Sequence, residues 1–148
     1  MQREPWAVLT EEIELPESVR SQVAALKGSQ QMVFVTRDSI LAIIVYEGYT
    51  GVNGSVSVHL EVKPGCMRPG MVTMMLNYVF GYLKCRQIIA KAEGRRHDLH
   101  KHYKRFGGER KAVIEGYFPD DDLHIYSIHR DRCPPWRRLM RKRGHEQT

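Results

Sequence analysis

The sequence lacks any apolar run that approaches the ~20 residues of a membrane-spanning helix, and its first residues contain no apolar signal-peptide segment. Cysteine is scarce, with three residues in the chain: Cys66, Cys85 and Cys133. Their number is odd, they are widely spaced, and they form no CxxC pair. These absences argue against a disulfide framework, a zinc ribbon and a membrane anchor. We expect free thiols in a reducing compartment and a cytoplasmic protein.

The composition is that of a globular protein, with 42% hydrophobic and 27% charged residues in a chain of 148. We expect one domain over residues 1–136, followed by a basic tail over residues 137–148. The net charge of +6 is concentrated in residues 95–111 and 137–143, whereas residues 10–17 are acidic. Such a balance suits nucleic acid or another polyanion, including a phosphorylated cofactor. For the tail we expect either a disordered solubilising segment or a contact with nucleic acid or an acidic protein surface.

The first half of the chain predicts strands around one helix. A short strand is expected over residues 6–10, and a helix from Pro16 to Gly28. Two β-rich runs at residues 32–36 and 40–46 flank a turn and predict a hairpin. The stretch SVSVHLEV at residues 55–62 then alternates, so its apolar residues face one way while His59 and Glu61 face the other.

The second half alternates helices with strands. A largely apolar helix over residues 71–85, with Phe80 and Tyr82 in the core, leads to a strand over residues 86–94. A basic helix follows from residue 95 and ends at Gly107 or Gly108. Two strands flank a turn at residues 119–122, and regular structure is expected to end at CPPW, residues 133–136. The predicted order, β-α-β-β-β-α-β-α-β-β, indicates a mixed α/β fold in which an antiparallel meander precedes the strand–helix alternation.

Four segments from residue 58 onwards resemble the GNAT acetyltransferase superfamily. They are LEVKP, LNYVFGYLKCRQIIAKAE, HYKRFGGE and DDDLHIYSIHRDRCPPW, in this order along the chain. Within this superfamily, the segments most resemble the ribosomal-protein N-terminal acetyltransferases and the GNAT-like proteins of tailed phages. The resemblance implies that acetyl-CoA lies in a split between the fourth and fifth strands, with its pyrophosphate at the start of the following helix.

Site residues follow from the resemblance. It implies Tyr103 as the acid that protonates the leaving thiolate, and Glu61 or His59 as the base for the acceptor amine. It implies cofactor contacts from Val62, Met67, Arg68, Gly70, Met71 and Arg96. The last of these stands where the family usually places an asparagine.

The phosphate-binding loop departs from the family pattern. Gly65 and Gly70 are five residues apart rather than two, Pro69 removes one backbone N–H, and Gly108 replaces a phenylalanine. Three functions therefore remain open. They are an acetyl-CoA-dependent N-acetyltransferase acting on a small amine or a protein N-terminus, an inactive GNAT-fold structural or assembly protein of a phage virion, and a basic nucleic-acid-associated protein.

A metal site is the remaining alternative for the basic helix. His97 and His100 share a helix face, but His102 does not, and no further ligand beyond Asp98 completes a shell. We expect no metal and a solvated basic helix.

Overall fold

The computed structural model describes residues 6–9, 30–35, 40–63 and 65–146. The strands are β1 (Trp6–Leu9), β2 (Gln30–Val35), β3 (Ile40–Glu47), β4 (Ser55–Val62), β5 (Gln87–Glu93), β6 (Glu109–Phe118) and β7 (Asp121–His129). The helices are α1 (Pro69–Leu76), α2 (His97–Arg105) and α3 (Pro134–Glu146). The helix predicted from Pro16 to Gly28 and the turn at residues 37–39 lie outside the described residues.

The described strands form one sheet in the order β1-β2-β3-β4-β5-β7-β6. Neighbouring strands are antiparallel except β4 and β5, which are parallel and joined by a crossover through α1. The predicted mixed α/β class, the meander of β2, β3 and β4, and the turn between β6 and β7 are confirmed.

The main core cluster of the described residues lies on one face of the sheet. Alternate residues of β4 point into it, so Val58, Leu60 and Val62 are buried while His59 and Glu61 are exposed on the opposite face, as predicted. The helices cover the apolar face with Met71, Met75, Leu76, Val79, Phe80, Leu99, Tyr103 and Phe106. Cys66, Cys85 and Cys133 are unbridged, as expected.

The helix predicted over residues 71–85 is shorter and less regular. It begins at Pro69, whose missing N–H costs nothing in the first turn, and α1 is continued by a π-helical segment, Asn77–Tyr82. The prediction that Tyr82 lies in the core was wrong, since this residue is 76% exposed. Regular helical spacing would place Tyr82 on the same face as Met75 and Val79, but the wider π turn shifts it outwards, where it stacks on Tyr78.

The prediction that regular structure ends at residues 133–136 was also wrong. Helix α3 begins at Pro134 and runs to Glu146, through most of the basic tail. An apolar stripe at helical spacing explains the error: Trp136 is buried, and Leu139 and Met140 pack against the core. No described helix has the length and apolarity to span a membrane.

Candidate functional site

The parallel strands β4 and β5 separate before either of them ends. Their pairing runs from Ser55 and Gln87 to His59 and Lys91, while β4 continues to Val62 and β5 to Glu93. The sheet therefore opens into a split beyond His59, as the family resemblance predicted.

A network of charged side chains spans the opening of the split. Arg96, immediately before α2, donates through Nη1 to both carboxylate oxygens of Glu61 on β4, at 2.9 and 3.2 Å. The same guanidinium donates to both oxygens of Asp98 at 3.2 Å. His59 completes the network, since its Nε2 lies 3.4 Å from Glu61 Oε1. Arg96 thus connects the start of α2 to β4 across the opening.

These contacts give different chemical properties to Glu61 and His59, the two residues predicted as bases. The hydrogen bond from His59, helped by those from Arg96, lowers the pKa of the Glu61 carboxyl below its ordinary value, although partial burial opposes this. A carboxylate held in its charged form is a weak base. Glu61 is better suited to orient His59 than to act as the base, which leaves His59 as the better candidate base.

Tyr103 of α2 lies at the point where the strands separate. Its hydroxyl donates to the backbone oxygen of Lys91, the last β5 residue paired with β4, at 2.9 Å. The side chain is buried, and burial raises the pKa of its hydroxyl. The group therefore stays protonated at neutral pH, as an acid that supplies a proton must.

The loop between β4 and α1 offers few backbone donors. Gly65 has φ +75°, a conformation that favours glycine. The amides of Met71 and Val72 are bonded to the carbonyl of Arg68, and Pro69 has none, so the amide of Gly70 is the one directed out of the first turn of α1. A Cβ on Gly70 would meet nothing within 4 Å. Protein packing therefore does not require glycine there, but close approach of a ligand to the backbone would.

Two of the predicted cofactor residues are core residues. Val62 and Met71 are buried, so their side chains pack in the core and are not available to a ligand. Met67, by contrast, lines two adjoining cavities with His102 and Arg105.

The two cavities lie beside the start of α1. The first, of about 350 Å³, lies among the three helices and is lined by Met67, Arg68, Pro69, Val72, Thr73, His102, Arg105, Phe106, Pro135, Arg138, Leu139 and Lys142. The second, of about 380 Å³, is lined by Gly65, Met67, His97, Asp98, Lys101, His102 and Arg105. The sequence analysis did not predict Arg138 and Lys142 as site residues. Their i, i+4 spacing beside an apolar stripe would have indicated that they share one face of a helix.

A third cavity opens on the face of the sheet that carries His59. It has a volume of about 230 Å³ and is lined by Glu47, Ser57, His59, Lys91, Ala92, Glu93, Tyr117, Phe118 and Leu123. Because it includes both His59 and Lys91, it adjoins the split from the side opposite the helices.

The histidines of α2 do not form a metal site. His100 is buried, accepts at Nδ1 from the Tyr126 hydroxyl at 2.7 Å, and lies with Nε2 3.0 Å from the backbone oxygen of Glu93. The expectation of a wholly solvated helix was therefore wrong for His100, which ties α2 to the sheet. Among the described residues, no group of three His, Cys, Asp or Glu side chains is placed to hold a metal ion.

Several groups suited to acetyl-CoA lie around the split, although the loop before α1 offers few backbone donors. The gap between β4 and β5, the open approach to Gly70 and the cations beside α1 suit an extended chain that ends in phosphates. The residues therefore fit this cosubstrate.

Comparisons with solved structures identify the fold. The chain is similar to a protein described as an acetyltransferase, at 17% identity and a TM-score of 0.66 over 85% of this chain and 74% of that one. It is similar to the spermidine/spermine N-acetyltransferase SpeG of Vibrio cholerae, at 10% identity and a TM-score of 0.61 over 85% and 92% of the two chains. A GNAT-family protein of Desulfovibrio desulfuricans follows at 21% identity and a TM-score of 0.53, over 76% of each chain.

No family model matches the sequence, and no curated protein is significantly similar to it. None of the three structures is described as a virion component or a nucleic-acid-binding protein. The finer resemblance to ribosomal-protein and phage branches stays a prediction. At these identities the structural likeness defines the fold, and the chain has the fold of the GNAT acetyltransferases.

Proposed function

We propose that this protein transfers the acetyl group of acetyl-CoA to a primary amine. The observation that carries the proposal is the split between β4 and β5, with the Tyr103 hydroxyl at its apex and His59 on the opposite face. The cationic cavity lies on the helix side of the split and the third cavity on the other side. A cosubstrate and an acceptor can therefore approach the same point from opposite faces.

The residues have complementary roles in this reaction. Acetyl-CoA, when bound, supplies an acetyl group activated as a thioester. His59 takes the proton that the amine loses as its nitrogen bonds to the acetyl carbon, and Glu61 stabilises the resulting imidazolium. Tyr103 gives its proton to the sulfur as the carbon–sulfur bond breaks. Arg68 and the Gly70 amide hold phosphate at the start of α1.

The third cavity favours a cationic acceptor with an apolar chain. Glu47 and Glu93 place two carboxylates in its lining against the single ammonium group of Lys91, beside the aromatic rings of Tyr117 and Phe118. Arg95 occupies one side of the Glu93 carboxylate at 3.0 Å. Because SpeG is described as acting on spermidine and spermine, polyamines are the first acceptors to test, and a peptide with a free N-terminus is the second.

The test is thiol release from acetyl-CoA by the purified full chain. Spermidine, spermine and a peptide with a free N-terminus are offered separately, and a reaction without amine corrects for hydrolysis. We expect at least one amine to increase thiol release and to gain the mass of one acetyl group. Binding of acetyl-CoA without acetylation of any amine in the set would overturn the proposal.

A further inference from the structure

The basic C-terminal helix α3 is anchored to the domain by its apolar stripe. Trp136 is buried, and its ring lies 5.5 Å from that of Phe80. Arg143 donates to Asn77 Oδ1 at 2.6 Å and lies 5.9 Å from the centre of the Trp136 ring. These contacts fix which face of the helix turns towards α1 and α2.

The inward face of α3 carries two cations to the first cavity. Pro135, Arg138, Leu139 and Lys142 all line this cavity, and their spacing places them on one side of a helix. All four basic residues Arg137, Arg138, Arg141 and Lys142 are exposed, but Arg137 and Arg141 do not line the cavity. Two of these four charges therefore lie at the rim of the cavity and two lie away from it.

The cavity has an excess of positive charge. Arg105, Arg138 and Lys142 form no ion pair with any carboxylate of the described residues, and none of the described residues that line the cavity carries a carboxylate. His102 Nδ1 is buried there without a hydrogen-bond partner in the described part of the chain. The three cations are exposed, so they give the rim of the cavity a positive potential that attracts an anion.

The walls of this cavity suit a nucleotide rather than a bare anion. Met67, Val72, Phe106 and Leu139 give it an apolar surface next to the cations, and its volume of about 350 Å³ falls within the usual range for small-molecule sites. The cavity is concave and lies among three helices, whereas a nucleic-acid strand needs an extended groove. These features favour a small phosphorylated ligand over nucleic acid.

We propose that Arg138 and Lys142 of the C-terminal helix bind phosphate groups of a nucleotide whose base lies against the apolar wall of the same cavity. This inference rests on the proposed function, in which the nucleotide is the adenosine bisphosphate end of the cosubstrate. It also accounts for the weak loop before α1, because side-chain cations replace the backbone donors that Pro69 and the glycine spacing remove.

The test is calorimetry of the full chain with adenosine 3′,5′-bisphosphate at low salt. The double variant Arg138→Gln/Lys142→Gln removes the two inward charges, and Arg137→Gln/Arg141→Gln is its matched control on the same helix. We expect the first pair to weaken binding ~10–100-fold and the second by less than ~3-fold. Unchanged melting temperatures show that both variants fold.

The inference is overturned if both pairs weaken binding equally, if neither does, or if the unmodified chain does not bind the probe. It is also overturned if a short DNA duplex binds more tightly than the bisphosphate. The outcome is separate from that of the acetylation assay. Selective loss in the first pair supports the nucleotide site even without amine acetylation, and acetylation with equal binding in both pairs supports the function while removing this site.

Discussion

Tyr103 has a structural role at the apex of the split and is the acid in the proposed reaction. Its hydroxyl is bonded to the Lys91 carbonyl, so Tyr103→Phe leaves that carbonyl without its donor and is expected to cost ~1–3 kcal/mol of stability. If the hydroxyl is also the acid of the proposed reaction, acetyl transfer falls ~10²–10⁴-fold. Thiol release and chemical denaturation measure the two effects separately.

Tyr126→Phe is the matched control for this prediction. Tyr126 is also buried, and its hydroxyl is bonded to His100 rather than at the split. A similar loss of stability is expected, but no comparable loss of turnover. Equal effects of both variants on turnover would assign Tyr103 a structural role only.

His100 makes the stability of the fold dependent on pH. Burial, and to a smaller extent His124 and His97, lower the pKa of its imidazole, while the carbonyls of Glu93 and Gly94 oppose the shift. The folded chain therefore binds a proton less readily than the unfolded chain does. The contribution to stability is present above the unfolded pKa of about 6.5 and is lost as pH falls below it.

We expect the urea midpoint to fall between pH 7.5 and 5.5, and His100→Gln to reduce this slope. The slope does not vanish, because burial and then Arg105 also lower the pKa of His102. A slope unchanged in His100→Gln would contradict the assignment.

At the scale of elements, the end of α2 is joined closely to the start of α3. The amides of Gly107 and Gly108 bond to the carbonyls of Lys104 and Tyr103, which closes the helix end. Gly107 has φ +84°, and a Cβ there would overlap the backbone oxygen of Arg132. Only a residue without a side chain lets the segment before α3 pass this close.

Gly107→Ala is expected to lower the free energy of unfolding by at least ~2 kcal/mol, from backbone strain and steric overlap together. Gly116→Ala is the control, because Gly116 has φ +65° but its added Cβ would meet nothing within 4 Å. It should show the strain alone, ~1–2 kcal/mol. Equal losses in a thermal or urea titration would show that the approach of Arg132 is unimportant.

At the scale of the whole molecule, local patterns predicted most of the described elements. The alternation of apolar and polar residues in β4 predicted that His59 and Glu61 are exposed, and the paired glycines predicted the end of α2. The separation of β4 and β5 was predicted through the family resemblance and is confirmed. The division into residues 1–136 and a tail stays a prediction.

The missed features depend on contacts between distant segments. A single sequence does not show that Trp136 packs on Phe80. The segment that forms α3 was therefore predicted to be a tail because it is rich in positive charge. The link from Arg96 to Glu61 joins residues 35 positions apart, and the contributions of Arg138 and Lys142 depend on how α3 is anchored. Tyr82 was misplaced because a π turn changes the helical period.

The separation of β4 and β5 has a consequence for the backbone itself. Residues 60–62 of β4 still pair with β3 on one side, but on the other side their outward N–H and C=O groups face the split, since β5 has already diverged. The interior of the sheet thus contains a short edge, of the kind that proteins usually protect at their periphery. A ligand with amide groups in an extended chain completes such an edge as an added strand does, and three residues of edge give room for a short ligand, not for a full polypeptide strand.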